Sequence, residues 1–256
     1  MRVPLILLVL ILAAVIFAPF LATFDPLKTN PSLQYQPPGS GYILGTDSLG
    51  RDVWSRVLFG GQSTLLMAAL ATVIAFIPGL MLGLLAGAGQ RWLDLIMVTL
   101  TNAMLAVPGL IVALVVLTLL GRGIVALSIA IGLSQIAPCI AVTRAAVQGV
   151  RSSTYIEAGY GLGATRIHIL LSHILPNIQP TLLAYAAIIF GYSALNGAAL
   201  SFLGLGGEPA TPDWGVMLAE GRAAFRIAPW IGIAPGLAIT ATVWAVNALA
   251  DQIGKR

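Results

Sequence analysis

Three glycines at alternate positions, Gly159, Gly161 and Gly163, are the first place in this chain to look for chemistry. Glycine-rich turns cradle phosphates when a lysine follows to touch them. The only lysines are Lys28 and Lys255, so no phosphate-binding loop of the Walker A kind is present and ATP hydrolysis by that route is excluded. The two histidines, His168 and His173, stand five apart rather than at the i,i+4 spacing of a helical metal pair, and no cysteine accompanies them. They read as polar groups facing an interface or a partner, and no residue reads as a metal ligand. The single cysteine, Cys139, rules out an internal disulfide and any cysteine-based metal cluster, and its apolar surroundings assign it to packing. No Ser–His–Asp set within the apolar runs suggests a hydrolase. The expectation is a chain with no catalytic residues and no cofactor of its own.

Polar groups inside the apolar runs are all neutral: Thr99, Thr101, Asn102, Gln135, Tyr192, Asn196 and Asn247. An ion-coupled carrier normally places an ionisable group or a broken-helix cation site at membrane depth. These residues can glue helices together, or Asn102, Gln135, Tyr192 and Asn196 can line a pathway. Such a neutral lining would hold cargo poorly, which suits a translocator whose specificity resides in another protein.

The elements that must position these residues are apolar helices. Of 256 residues, 58% are hydrophobic and 9% charged, against about 25% charged in an ordinary soluble domain. A bilayer core needs about 20 consecutive apolar residues per helix. Six runs qualify: roughly 3–23, 63–88, 95–120, 124–143, 178–203 and 229–249, none with a charge in its interior. The first is longer than the apolar core of a signal peptide and reads as a retained span. The expected fold is an all-α integral membrane protein of six transmembrane helices. Residues 1–60 give the first helix and an external loop, and 61–256 a five-helix core.

Six spans put both termini on one side. With that side cytoplasmic, Arg2, Arg91, Arg144, Arg151, Arg166, Lys255 and Arg256 lie inside, and Lys28, Arg51, Arg56, Arg122, Arg222 and Arg226 outside. Seven against six leans only slightly toward that orientation. The net charge of +4 is dispersed, and no basic run with interleaved aromatics points to nucleic acid.

Two segments outside the runs are long. In the first, about 24–60, Asp47 or Ser48 is placed to cap a short helix lying in the interface, with Asp52 and Arg56 as an i,i+4 pair and Val53, Trp54, Val57 and Leu58 on the other face; the alternative is a solvated loop tied down by Trp54. In the second, about 144–177, Thr154 and Glu157 have capping-box spacing, so a short helix should begin near Tyr155. The glycines allow a sharp turn. A second short helix follows from Thr165, with Ile167, Leu170, Leu171 and Ile174 as its apolar stripe and Pro176 as its stop. Two short helices around a glycine turn make a knob able to enter a groove on another protein. Gly79, Gly83 and Gly87 form a double GxxxG run that lets a second helix approach closely. Pro78, Pro108, Pro138 and Pro235 predict kinks within spans.

Glu157-Ala158-Gly159-Tyr160-Gly161-Leu162-Gly163, followed by His173-Ile174-Leu175-Pro176-Asn177, resembles the EAA loop of ABC-importer permeases. Gly159 departs from the usual Ala, and His173 resembles the peptide-permease form. The stretch Gly45–Arg56 is similar to that after the first span in C-type subunits of dipeptide, oligopeptide and nickel permeases. Leu200–Gly206 with Pro212–Met217 is similar to their last external loop. The resemblance implies the type I importer fold and an ATPase-docking loop over about 151–177 comprising Glu157, Ala158, Gly159, Gly163, Arg166, His173, Leu175 and Pro176. It further implies a homologous second permease subunit, two ABC ATPase subunits that carry the ATP and Mg, an external substrate-binding protein, and a place in the bacterial inner membrane. Peptides are the leading cargo, with nickel or a metal chelate as the alternative. An ion-coupled secondary carrier and a non-transporting scaffold remain the other classes.

Overall fold

The computed structural model describes residues 2–39, 41–88, 91–207 and 211–254. Lys255 and Arg256, counted in the charge balance of the inner side, lie outside them. The described chain is helical throughout its ordered elements, as its composition requires: in a bilayer each backbone polar group must be satisfied within its own segment.

Helix α1 (Arg2–Ile16) is shorter than its apolar run, and a single turn, α2 (Ala18–Leu21), follows. Pro19 is the cause. It has no N–H to donate to the Val15 carbonyl, and the side-chain amide of Gln62 donates there instead, at 3.0 Å. Helix α3 (Val53–Ala88) comes next, then α4 (Arg91–Leu105), α5 (Gly109–Leu120) and α6 (Ile124–Arg151). The inner loop holds α7 (Thr154–Gly161) and α8 (Arg166–Ile169). One π-helical turn, Leu170–Ile174, joins α8 to α9 (Leu175–Phe202). Helices α10 (Trp214–Ala224) and α11 (Trp230–Gly254) complete the chain.

Four of these stretches are long and apolar enough to cross a membrane: α3, α6, α8 through α9, and α11. The run at 95–120 is not one straight span. Helices α4 and α5 meet at 79° across Pro108, and counted as one broken span they bring the number of candidate crossings to five. Helix α1 adds a further apolar helix of 15 residues, and the architecture is compatible with six spans. Pro108 breaks its helix as expected, whereas Pro78, Pro138 and Pro235 sit inside uninterrupted ones. Several helices also outrun their apolar cores. Asp94 and Arg144 are both helical and form a bidentate pair between α4 and α6, with one arm at 2.8 Å.

The centre of the bundle is α3 against α6. A β-carbon added at Gly79 would stand 2.5 Å from Cys139 Cβ, at Gly83 2.5 Å from Thr143 Cβ, and at Gly87 2.6 Å from Val147 Cβ. The double GxxxG run is therefore a seam with no room for a methyl group. Each glycine meets a residue 60 positions later, and that constant offset makes the two helices parallel. Helix α9 closes the core from a third side, where Gly197 faces Met67 and Ile131. Cys139 is fully buried in this seam, in the packing role its setting predicts. Outward, large apolar side chains such as Leu66, Ile77, Leu95, Val115, Leu183 and Leu237 are exposed, a surface suited to hydrocarbon rather than water.

Candidate functional site

At one end of the bundle the loop 25–52 folds down onto α3 and α10. The Asp47 side chain makes a turn, accepting from the backbone N–H groups of Leu49 (2.8 Å) and Arg51 (3.0 Å), and caps no helix. Capping falls to Asp52, whose carboxylate accepts from the Ser55 N–H at 3.0 Å as α3 begins. The expected separate interfacial helix is absent: Val53 and Leu58 are buried inside the protein as the first turns of α3. The expected Asp52–Arg56 pair does not form either. Arg56 pairs with Asp47 and, at 2.6 Å, with Glu220 of α10, while Arg51 bonds Asp47 at 2.7 Å and Glu220 at 3.0 Å. Two guanidinium groups and two carboxylates thus neutralise one another in a nearly dry site, because α10 supplies an acid that local spacing could not reveal.

Asp213 caps α10, accepting from the N–H groups of Gly215 and Val216. Burial pushes its carboxyl above the ordinary value, opposed by those backbone donors and by the Thr64 hydroxyl. Trp214 is buried beside it and donates its indole N–H to the Val57 carbonyl at 2.8 Å. These residues tie the Pro212–Met217 motif to the start of α3.

At the other end lies the glycine turn. Helix α7 begins at Thr154, one residue earlier than the capping box requires, so Ser153 is the N-cap and no side-chain capping bond forms. Thr154 is thereby the first helical residue, where its hydroxyl cannot take the capping role, and the Glu157 side chain is left exposed. Helix α7 closes in a Schellman turn: Ala164 N–H bonds Gly159 O (3.1 Å) and Gly163 N–H bonds Tyr160 O (3.0 Å). Gly163 takes φ +85 there, while Gly159 and Gly161 are helical. Thr165 caps α8 by accepting from His168 N–H.

The second helix does not stop at Pro176. It passes through the π-turn into α9, with the Leu175 N–H reaching back five residues to Leu170 O. The widened turn accommodates the proline, and the Asn177 side chain covers the His173 carbonyl at 2.6 Å. The apolar stripe is shifted accordingly. Ile156, Ile169 and Ile174 are the buried residues, clustered with Val147, Ile178 and Leu182. Of the expected stripe, Ile174 is buried and Leu170 half-buried, but Ile167 and Leu171 are exposed.

The π-turn also alters the histidines. In a wider turn, residues five apart return to one face, and the rings of His168 and His173 stand 5.6 Å apart, edge to face at 82°. The spacing argument against their meeting holds for an α-helix and fails here.

The result is a knob fastened by three buried isoleucines and presenting Glu157, Ala158, Gly163, Arg166, His173 and Pro176 outward, with Gly159 and Leu175 half-buried. Sequence reasoning missed the apolar part of its outer face: Leu162 is 90% exposed and Ile167 70%. The signal was available for Leu162, since a residue flanked by Gly161 and Gly163 at the apex of a turn has no neighbour to bury it.

The four polar residues considered for a pathway are not brought together. Tyr192 and Asn196, with Ser134 and Gly109, line a narrow crevice among α5, α6 and α9. Gln135 is buried in α6, and Asn102 is exposed on α4 and does not line that crevice. Among the described residues no group of three or more His, Cys, Asp or Glu side chains is placed to hold a metal ion.

Residues 79–256 match the family model described as "Binding-protein-dependent transport system inner membrane component". The chain is 36% identical over 255 residues to the di/tripeptide transport system permease protein DppC of Pseudomonas aeruginosa, covering 97% of this chain and 84% of that one. It is 37% identical over 253 residues to the glutathione transport system permease protein GsiD of Escherichia coli, covering 96% and 81%. The dipeptide transport system permease protein DppC of Alkalihalophilus pseudofirmus is 34% identical over 238 residues, covering 93% and 78%. The three resembling motifs, the multi-span helical fold with its glycine-turn knob, and a family match across more than half the chain agree: this protein belongs to the binding-protein-dependent inner-membrane permeases of ABC importers.

Proposed function

We propose that the chain forms half of the translocation pathway of an ATP-driven importer of short peptides and that residues 151–177 dock on a separate ATPase. The observation that carries the docking role is the knob itself. Its inner face is buried isoleucine, while its outer face carries Leu162, Ile167, Tyr155 and Leu171, which this chain leaves uncovered. Exposed apolar side chains rimmed by Glu157, Arg166 and His173 have the make-up of a protein-docking patch. The basic residues divide almost evenly between the two ends, and the cytoplasmic position of this end and of both termini rests on the resemblance of the loop to the ATPase-docking loop of the family.

In this reading Gly163 sets the turn between α7 and α8. Glu157, Ala158, Gly159, Arg166 and His173 face or flank the ATPase, and Leu175 and Pro176 carry the loop into α9. ATP and Mg reside on two partner ATPases, a homologous permease completes the pathway, and an external binding protein delivers cargo. Tyr192 and Asn196 are the pathway residues. The peptide cargo rests on the names borne by the relatives.

Leu162→Asp tests the docking surface without touching the core, because the side chain packs on nothing. Co-expressed with its neighbouring genes and purified through a tag on this chain, the wild type should bring down a second permease and the ATPases. The variant should remain in the membrane with the second permease but lose ATPase at least tenfold. Equal ATPase recovery with Leu162→Asp would remove the knob from the docking role.

A further inference from the structure

We propose that His168 and His173 form a two-imidazole site for a late first-row divalent metal ion: Zn2+, Ni2+ or Cu2+. The π-turn at Leu170–Ile174 creates the site by returning residues five apart to the same helix face. The two rings stand with centroids 5.6 Å apart and planes at 82°. A shared metal at the usual metal–nitrogen length of about 2.0–2.1 Å would place two imidazole centroids roughly 5 Å apart. Rotation about the side-chain bonds would have to close the remaining few tenths of an ångström and turn one nitrogen of each ring toward the shared ion. Both side chains are exposed, so an ion can reach them.

The chemistry of the donor set fixes the class of ligand. Neutral imidazole suits Zn2+, Cu2+ and Ni2+, and binding should strengthen toward Cu2+ along the usual order of divalent affinities. The oxygen-preferring Mg2+ and Ca2+ find no carboxylate grouping here, since no set of three acidic or metal-binding side chains gathers among the described residues. Ser172 lies 3.5 Å from His168 Nδ1, close enough to hold one nitrogen and orient the ring. Two protein ligands leave the other coordination positions to water, so the site is an open, exchangeable one rather than a closed structural centre. It stands on the geometry of the pair alone and does not depend on what docks against the loop.

The whole chain, purified in detergent through a histidine-free tag, is the material for the test. Zn2+ titrated by calorimetry should bind at one site, at least tenfold more weakly in His168→Ala, His173→Ala and the double variant. The Cu2+ electron paramagnetic resonance spectrum should show two imidazole nitrogens in the wild type and one in each single variant. In the unaltered chain, Zn2+ should protect both histidines from diethyl pyrocarbonate, read by mass spectrometry. With only two histidines in the sequence, that readout is unambiguous and needs no variant to fold. Equal Zn2+ binding by the double variant, a Cu2+ spectrum unchanged by the substitutions, or histidine modification indifferent to Zn2+ would each overturn the site.

Discussion

Gly163 and Gly83 show how differently one residue type can be required. Gly163 has open space around its missing side chain but a positive φ, so its constraint is conformational. Gly163→Ala should cost about 1–2 kcal/mol from the left-handed backbone alone, seen as a modest fall in thermal midpoint in detergent. Gly83 has ordinary helical backbone, but a β-carbon there would meet Thr143 at 2.5 Å. Gly83→Val should therefore be the more damaging change, forcing α3 from α6 and lowering folded yield, while Gly159→Ala meets its nearest neighbour at an ordinary 3.6 Å and should be silent. Equal thermal midpoints for all three would contradict the packing described. The close approach at Gly83 is legible in the GxxxG spacing itself, because helical period alone puts the three glycines on one face. Which of the three loop glycines bears the positive φ was not legible, because that depends on where α7 stops, and its start lies one residue from where Thr154 and Glu157 suggested.

The outer charge cluster belongs to the loop and helices it joins. Asp47 is fully buried and serves Arg51 and Arg56 together, whereas Glu220 retains 26% exposure. Removing one member of a buried ion pair typically costs about 3–5 kcal/mol, because the partner charge stays behind. Asp47→Asn should approach that loss, and Glu220→Gln should cost less, since water can reach the guanidinium groups it leaves. Proteolytic nicking of the 25–45 loop, measured against denaturant, would read both, and greater sensitivity in Glu220→Gln than in Asp47→Asn would refute the assignment. The inner knob makes a parallel case: Ile156→Ala or Ile169→Ala removes a buried side chain, at about 2–5 kcal/mol, and should loosen α7 and α8 while the bundle stays folded. The apolar runs showed where most spans lie, since period and length are local. They did not show Glu220 reaching Arg56 across 164 residues, nor the π-turn that carries the helix past Pro176 and brings His168 to His173. Both are settled by tertiary packing, which overrode the local signals.

For the molecule as a body, the two ends are linked through the α3–α6 seam. Cys139 lies at its middle with no exposure, so it should resist a maleimide in the folded protein and react once detergent unfolding opens the seam. Reaction in the native state at the rate of a free thiol would mean that the helices part. The glycines of the seam recur every four residues, and four residues of α-helix advance about 6 Å. Each sits opposite a side chain on the facing helix, as a notch opposite a tooth. Helix α3 therefore cannot creep along α6 by fractions of an ångström: the next position in which every tooth finds a notch is a full step of about 6 Å away, with clashes between. A push delivered at the loop end must carry both helices together, as a single stiff strut pivoting about its length.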